Sequence, residues 1–316
     1  MPFFWVRGFN YQPGYDDGTG GYGDGTSWSI WKNFKIDVIE RELSRGVELF
    51  PEMTALRIWL PYQAYLSQPK QFLKDFSKFI QVIGKLKLRT MIVLFNAWHG
   101  NPFFGGFRPE SFKSLSLEDL KRTFRFADDL LDRHSGDERI FAWDLCNEPS
   151  QLDIYLPWLQ GLHDHIRSRR EKNCLTIGVD ATQTSVEVTK CVEPLCDIIS
   201  EHPYLIFNNA PAERYRNNFD DLIRYVNETD KSLLVTETGW GDLSDSKRVE
   251  SLHIELSNCV EHKAGFLIHA LNHSLVSDLH RPEYGPVGGA GYMACIEKNG
   301  SLRPGHEMIR DYLKAK

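Results

Sequence analysis

Strand-like apolar runs alternate with amphipathic helix-like stretches along the whole chain, and that alternation restricts the fold to a parallel sheet joined by crossover helices. Eight runs read as strands: Trp5–Tyr11, Thr54–Leu60, Arg89–Phe95, Ile140–Cys146, Cys174–Val179, Asp197–Glu201, Ser232–Thr236 and Gly265–Ala270. Several are continuously apolar, as strands covered on both faces should be. Between them, FKIDVIERELSRG, PKQFLKDFSKFIQVIGKL, LEDLKRTFRFADDLLDRH and DSKRVESLHIELSNCVEH place apolar residues every three or four positions, the period of a helix with one buried face. Eight such units close a (β/α)8 barrel, an α/β fold of the TIM type, and a chain of 316 residues is long enough for one. The expectation is one catalytic domain spanning residues 1–316, with no internal repeat and no linker.

The segments after the first, third and eighth strands are long and rich in Gly, Pro and aromatics: YQPGYDDGTGGYGDGTSW, NAWHGNPFFGGFRPESF and NHSLVSDLHRPEYGPVGGAGY. In a barrel they follow the carboxyl ends of strands, the face on which active sites are built. Two glutamates stand at that same boundary, Glu148 in FAWDLCNEPS and Glu237 in LLVTETGW. Glycosidic bonds are cut by two carboxyl groups facing each other across the bond, so this pair is the leading catalytic candidate.

Other function classes fit poorly. A net charge of −6 without a long basic run argues against nucleic-acid binding. No stretch has the apolar length of a membrane span. The six cysteines form neither close pairs nor a dense framework, so neither a metal centre nor a disulfide scaffold is expected. The triplet His163, Asp164, His165 lies on a helix, where residues two apart diverge, and reads as a solvated face. There is no nucleophile elbow and no Walker-type phosphate loop. The N-terminus MPFFWVRGFNY lacks the pattern of a signal peptide, from which a cytoplasmic protein is expected, or a secreted one if a leader had been removed.

The residues at the strand ends resemble those of the retaining (β/α)8 glycosidases of clan A, most closely glycoside hydrolase family 5. They are Arg57 in LRIWL, His99 in NAWHG, Asn147 and Glu148 in NEP, His202 and Tyr204 in EHPY, and Glu237 in TETGW. The resemblance implies Glu148 as acid/base and Glu237 as nucleophile. It implies Arg57 and Tyr204 as partners of the nucleophile, His202 as a partner of either, Asn147 on the sugar 2-hydroxyl, and His99 near the sugar. Trp98, Trp240 and Trp59 could offer stacking faces. One geometric difficulty stands: neighbours on a regular strand point to opposite faces, so Asn147 and Glu148 can share a site only if the strand bulges. One departure also stands, because the family's stacking tryptophan after the eighth strand is replaced by HALNHS, with His269, Asn272 and His273.

These readings lead to a retaining β-glycosidase that needs neither metal nor cofactor and takes an oligosaccharide or glycoside, with no nucleic-acid or membrane partner and the oligomeric state left open. Loops walling off the cleft would make it exo-acting on a terminal β-mannoside or β-glucoside. The alternatives are an endo-acting β-glucanase or β-mannanase, an inactive sugar-binding barrel, and a metal-dependent hydrolase drawing on His99, His202 and His269.

Overall fold

The computed structural model describes residues 2–15, 27–97, 117–149, 152–180, 186–205, 212–278, 281 and 291–315. Eight strands, β1 (Arg7–Asn10), β2 (Ala55–Trp59), β3 (Arg89–Val93), β4 (Ile140–Asn147), β5 (Cys174–Val179), β6 (Ile198–Glu201), β7 (Ser232–Thr238) and β8 (Gly265–Ile268), pair in parallel in chain order and close into a barrel. All eight expected strands are present, with ends that differ by at most two residues. The helices Ile36–Leu49, Pro69–Lys85, Leu117–His134 and Asp245–Glu261 cover four of the expected amphipathic stretches. Ser244 caps the last of them, its hydroxyl accepting from the Lys247 amide. Among the described residues no helix is long and apolar enough to cross a membrane.

The apolar content divides into two layers. The larger core lies between strands and helices. The helix Pro69–Lys85, for example, buries Phe72, Phe76, Phe79, Ile80 and Ile83 there, each worth about 1.5–3 kcal/mol. A smaller core of Val6, Ala55, Met91, Phe141, Ala142, Ile198, Leu234 and Leu267 fills the other side of the strands. On β2 the alternation is regular: Leu56, Ile58 and Leu60 join the larger core, while Ala55 joins the smaller one, which places Arg57 and Trp59 on the inward face above it. The barrel interior is therefore apolar at the start of the strands and polar toward their carboxyl ends.

Candidate active site

Two irregularities in the sheet bring the key side chains inward. On β4, Asp144 pairs with Thr176 and Asn147 with Gly178, three steps against two on β5. That bulge lets Cys146 pack in the outer core while Asn147 turns in to Arg57, the two amino acids being joined at 2.7 Å. Glu148 then adopts a left-handed backbone, φ 49°, unusual for a residue with a Cβ, with its amide donating to the Gly178 carbonyl at 2.8 Å. On β7 the same thing happens against β8, Val235 pairing with Phe266 and Thr238 with Ile268. Val235 belongs to the outer core, so unbroken alternation would send Glu237 outward as well. The bulge instead delivers it to Arg57.

Arg57 organises the site from the centre of the barrel. Fully buried, it donates to Glu237 Oε1 at 2.5 Å, to Asp144 Oδ2 at 2.7 Å, to Asn147 Oδ1 at 2.7 Å and to Asn10 Oδ1 at 3.2 Å. A guanidinium so placed is costly to bury, yet Asp144 and Glu237 outweigh that cost and hold it charged. The glycine at 178 makes room for this cluster: a Cβ there would lie 2.8 Å from His202 Nε2 and 3.0 Å from both Arg57 Nη2 and Asp144 Oδ2.

The two glutamates meet different surroundings. Glu237 Oε2 accepts from the Tyr204 hydroxyl at 2.6 Å. Burial pushes the Glu237 carboxyl up, but the charges of His202 and Arg57 prevail and bring it down to about 2. Glu148 is raised above the usual carboxylate range, chiefly by burial and also by the charge of Glu237, against the lowering effect of His202. His202 Nδ1 lies 2.6 Å from Glu148 Oε1 and 3.8 Å from Glu237 Oε1. Burial disfavours its imidazolium, yet the two carboxylates more than offset this and raise its pKa. Tyr204, buried beside both glutamates, is pushed well above its ordinary value and stays a neutral donor.

Oxygen atoms of Glu148 and Glu237 and a ring nitrogen of His202 all lie within 4.8 Å of one another. Close carboxylates of this kind suit displacement by an enzyme nucleophile, since inverting pairs stand about 6.5–9.5 Å apart to admit a water. The same three residues are the one group among those described that could hold a metal ion by distance. Glu237 is already paired with Arg57 and Tyr204, however, and His202 with Glu148, so the donors are turned to each other. The His163–His165 triplet fits its bland reading, His163 bonding Asp164 and His165 bonding Asp128.

The pocket over this pair is lined by Gln12, Trp59, Asn96, Asn147, Glu148, Tyr204, Glu237, Trp240, His269 and Val276. Trp240 meets Tyr204 edge-on, centroids 5.2 Å apart, and Trp59 meets His269 at 5.6 Å. His269 stands where the resemblance would put a tryptophan, and its peptide bond to Ala270 is cis. Trp98 and His99 lie outside the described residues.

The family model described as Cellulase (glycosyl hydrolase family 5) matches residues 51–273. The chain belongs to glycosyl hydrolase family 5. It is thus a glycoside hydrolase of the retaining clan, acting on O-glycosidic bonds of β-linked sugars. Among curated proteins no sequence match is found. Solved structures share the family 5 chain's fold at low identity. An endo-1,4-beta-D-mannanase from Thermotoga petrophila is 14% identical, with a TM-score of 0.66 over 98% of this chain and 99% of that one. A β-glucuronidase from Ruminococcus gnavus is 14% identical, with a TM-score of 0.69 over 98% of this chain and 50% of that one.

Some residues of this family 5 site were not foreseen from sequence. Asn96, which accepts from Asn147 Nδ2 at 3.0 Å, and Gln12 both line the pocket. Behind β7, the helix Asp245–Glu261 carries Arg248 and Glu255, both fully buried. Arg248 donates to the carbonyls of Ala294, Gly239, His269 and Met293, gathering the backbone just beyond Glu237 and at His269. Glu255 accepts from the Leu205 amide at 2.6 Å, next to Tyr204, and burial raises its pKa to about 7. Their seven-residue spacing, two helical turns, was the only available signal. Glu201, the remaining strand-end glutamate, turns away to Thr189.

Proposed function

We propose that the protein hydrolyses chains of β-linked neutral hexoses, of glucan or mannan type, at internal bonds, with Glu148 as general acid/base and Glu237 as nucleophile. The observation that carries this reading is the opposed bias of two close carboxyls, Glu237 held ionised and Glu148 held toward its acid form. In the first step a Glu237 oxygen bonds to the anomeric carbon, the glycosidic C–O bond breaks, and the Glu148 proton goes to the departing oxygen. Arg57 and Tyr204 fix the attacking carboxylate, and Trp240 packs against Tyr204 from the pocket side. Ester formation removes the charge on Glu237, so the Glu148 pKa falls and its carboxylate takes a proton from the incoming water. That water displaces Glu237 and regenerates the starting state. In this reading Asn147 donates to the 2-hydroxyl with the Nδ2 hydrogen left over from its bond to Asn96.

Internal cleavage is supported by the cellulase family match and by the likeness to the Thermotoga petrophila mannanase over nearly all of both chains. The exo expectation leans on loops that lie largely outside the described residues, including 16–26 and 279–280. A neutral substrate is supported by the pocket, whose described lining contains neither lysine nor arginine to pair with a uronate. The test is release from aryl β-glycosides and β-linked disaccharides, with digestion of cello- and manno-oligosaccharides. Short internal fragments, abolished by Glu237→Ala, are expected. Stepwise release of single terminal sugars would restore the exo reading, and activity lost to a chelator and restored by metal would overturn the carboxylate mechanism.

A further inference from the structure

The wall of the pocket opposite Glu148 contains a polar group without a partner. Asn10, on β1, faces inward to Arg57 and the Thr236 carbonyl, whereas Tyr11 faces outward to Glu42. By the two-residue period, Gln12 is inward again, one step above Asn10 at the mouth of the barrel. Gln12 is only 5% exposed, lines the pocket, and its carboxamide Oε1 is buried with no hydrogen-bond partner. If the amide is turned over, its nitrogen inherits the vacancy, so one end of the group is unmatched either way. A buried polar atom left in this state is destabilising, and one that lines a pocket can be satisfied by a group bound there. His269 after β8 and Trp59 at the end of β2 line the same pocket.

We propose that Gln12 is a sugar-recognition residue whose carboxamide oxygen accepts a hydrogen bond from a hydroxyl on the sugar ring seated against Glu237, on the edge away from the 2-hydroxyl. The claim rests on the hydrolase reading above and sharpens it to a glycone with a neutral donor at that edge. A carboxylate there would face Glu237 and the carboxamide oxygen with no described lysine or arginine in the lining to neutralise it. Gln12 thus adds an amide to a pocket that also holds the Trp59 indole and the His269 imidazole, a hydrogen-bonding edge beside the aromatic surface.

The test compares wild type with Gln12→Ala and with Gln12→Met, which retains length and volume, on an aryl β-glycoside that the enzyme turns over and on its 3-, 4- and 6-deoxyfluoro analogues. Both variants should lower kcat/KM about tenfold, the scale of one lost hydrogen bond to a well-placed partner. One analogue should lose activity in wild type but no further activity in the variants, which identifies the hydroxyl. Gln12→Met should melt at the same temperature as wild type or higher, since it removes an unmatched polar group. An effect below about twofold in both variants, equal losses across all analogues in all three proteins, or a preference for the aryl β-glucuronide would overturn the proposal. If wild type cleaves neither aryl glycosides nor cello- and manno-oligosaccharides, the hydrolase reading fails by itself. Cello- and manno-oligosaccharide binding then decides about Gln12, with an unchanged Kd in Gln12→Met counting against it.

Discussion

His202 Nδ1 stands 2.6 Å from Glu148 Oε1, and the same nitrogen is 3.8 Å from Glu237 Oε1, so one imidazole sits between the two carboxyl groups. Its charge favours ionisation of both, yet burial wins at Glu148 and the combined positive groups win at Glu237. The asymmetry arises from Arg57 and Tyr204, which bond Glu237.

This asymmetry sets the pH dependence. As the proposed nucleophile Glu237, with a pKa of about 2, works ionised, so the acid limb of kcat/KM should fall well below the ordinary glutamate range. As the proposed acid Glu148 works protonated, so the basic limb should lie above that range. In Glu237→Gln the charge that raises Glu148 is gone, and its pKa should fall, though burial keeps part of the shift. Carbon NMR titration of the glutamate carboxyls checks this, and an unchanged Glu148 in the variant would count against the coupling. For stability the sign is opposite at the two sites. The depressed Glu237 contributes stability above its unfolded pKa that is lost as pH falls through about 2, while ionising the raised Glu148 costs stability as pH rises.

Arg57→Lys retains a charge but cannot span Asp144, Glu237, Asn147 and Asn10 together. Steady-state kinetics should show kcat reduced about 10²-fold or more. Arg57→Met should also destabilise by about 3–5 kcal/mol, because Asp144 is left fully buried without its counter-charge. Denaturant unfolding measures the second effect, and a variant as stable as wild type would contradict it.

Gly178→Ala adds one methyl group against His202, Arg57 and Asp144. Overpacking should cost about 1–3 kcal/mol, with a disproportionate loss of kcat because all three displaced groups touch the catalytic pair or its support. Thermal melts beside kinetics separate the two, and full activity would show that the cluster yields more readily than its geometry implies.

Arg248→Met leaves the carbonyls of Gly239, His269 and Ala294 short of a buried donor, while that of Met293 keeps the Ala270 amide. Each unmatched group costs about 1–3 kcal/mol, so a large fall in Tm is expected, along with weaker catalysis through displacement of the backbone after Glu237. Urea unfolding of the variant checks this directly. A loss below about 1 kcal/mol would mean that water replaces the guanidinium.

The strands were legible because their apolar runs are buried on both faces; Glu148, Glu237, His202 and Tyr204 were legible because they stand where those runs end, and Arg57 because it is a charge inside one. What sequence could not supply was orientation. Simple alternation puts Glu237 on the same face as Val235, and only the β7 bulge against β8 reverses it. The same holds for Asn147 beside Glu148, where the suspected bulge is present together with a left-handed residue. Gly178, Arg248 and Glu255 act across tens of residues, and no local pattern marks such partners. Gln12 was missed although the two-residue period along GFNYQ sets it on the same side as Asn10, because nothing in the sequence marks Asn10 as inward-facing.

The most direct test of the central claim is trapping with an activated 2-deoxy-2-fluoro β-glycoside of the sugar that the substrate panel identifies, followed by intact mass and peptide mapping. The account predicts one adduct per chain, carried by Glu237 and absent from Glu237→Gln. Hydrolysis of the compound with the label on Glu148, on another residue or on none would contradict it.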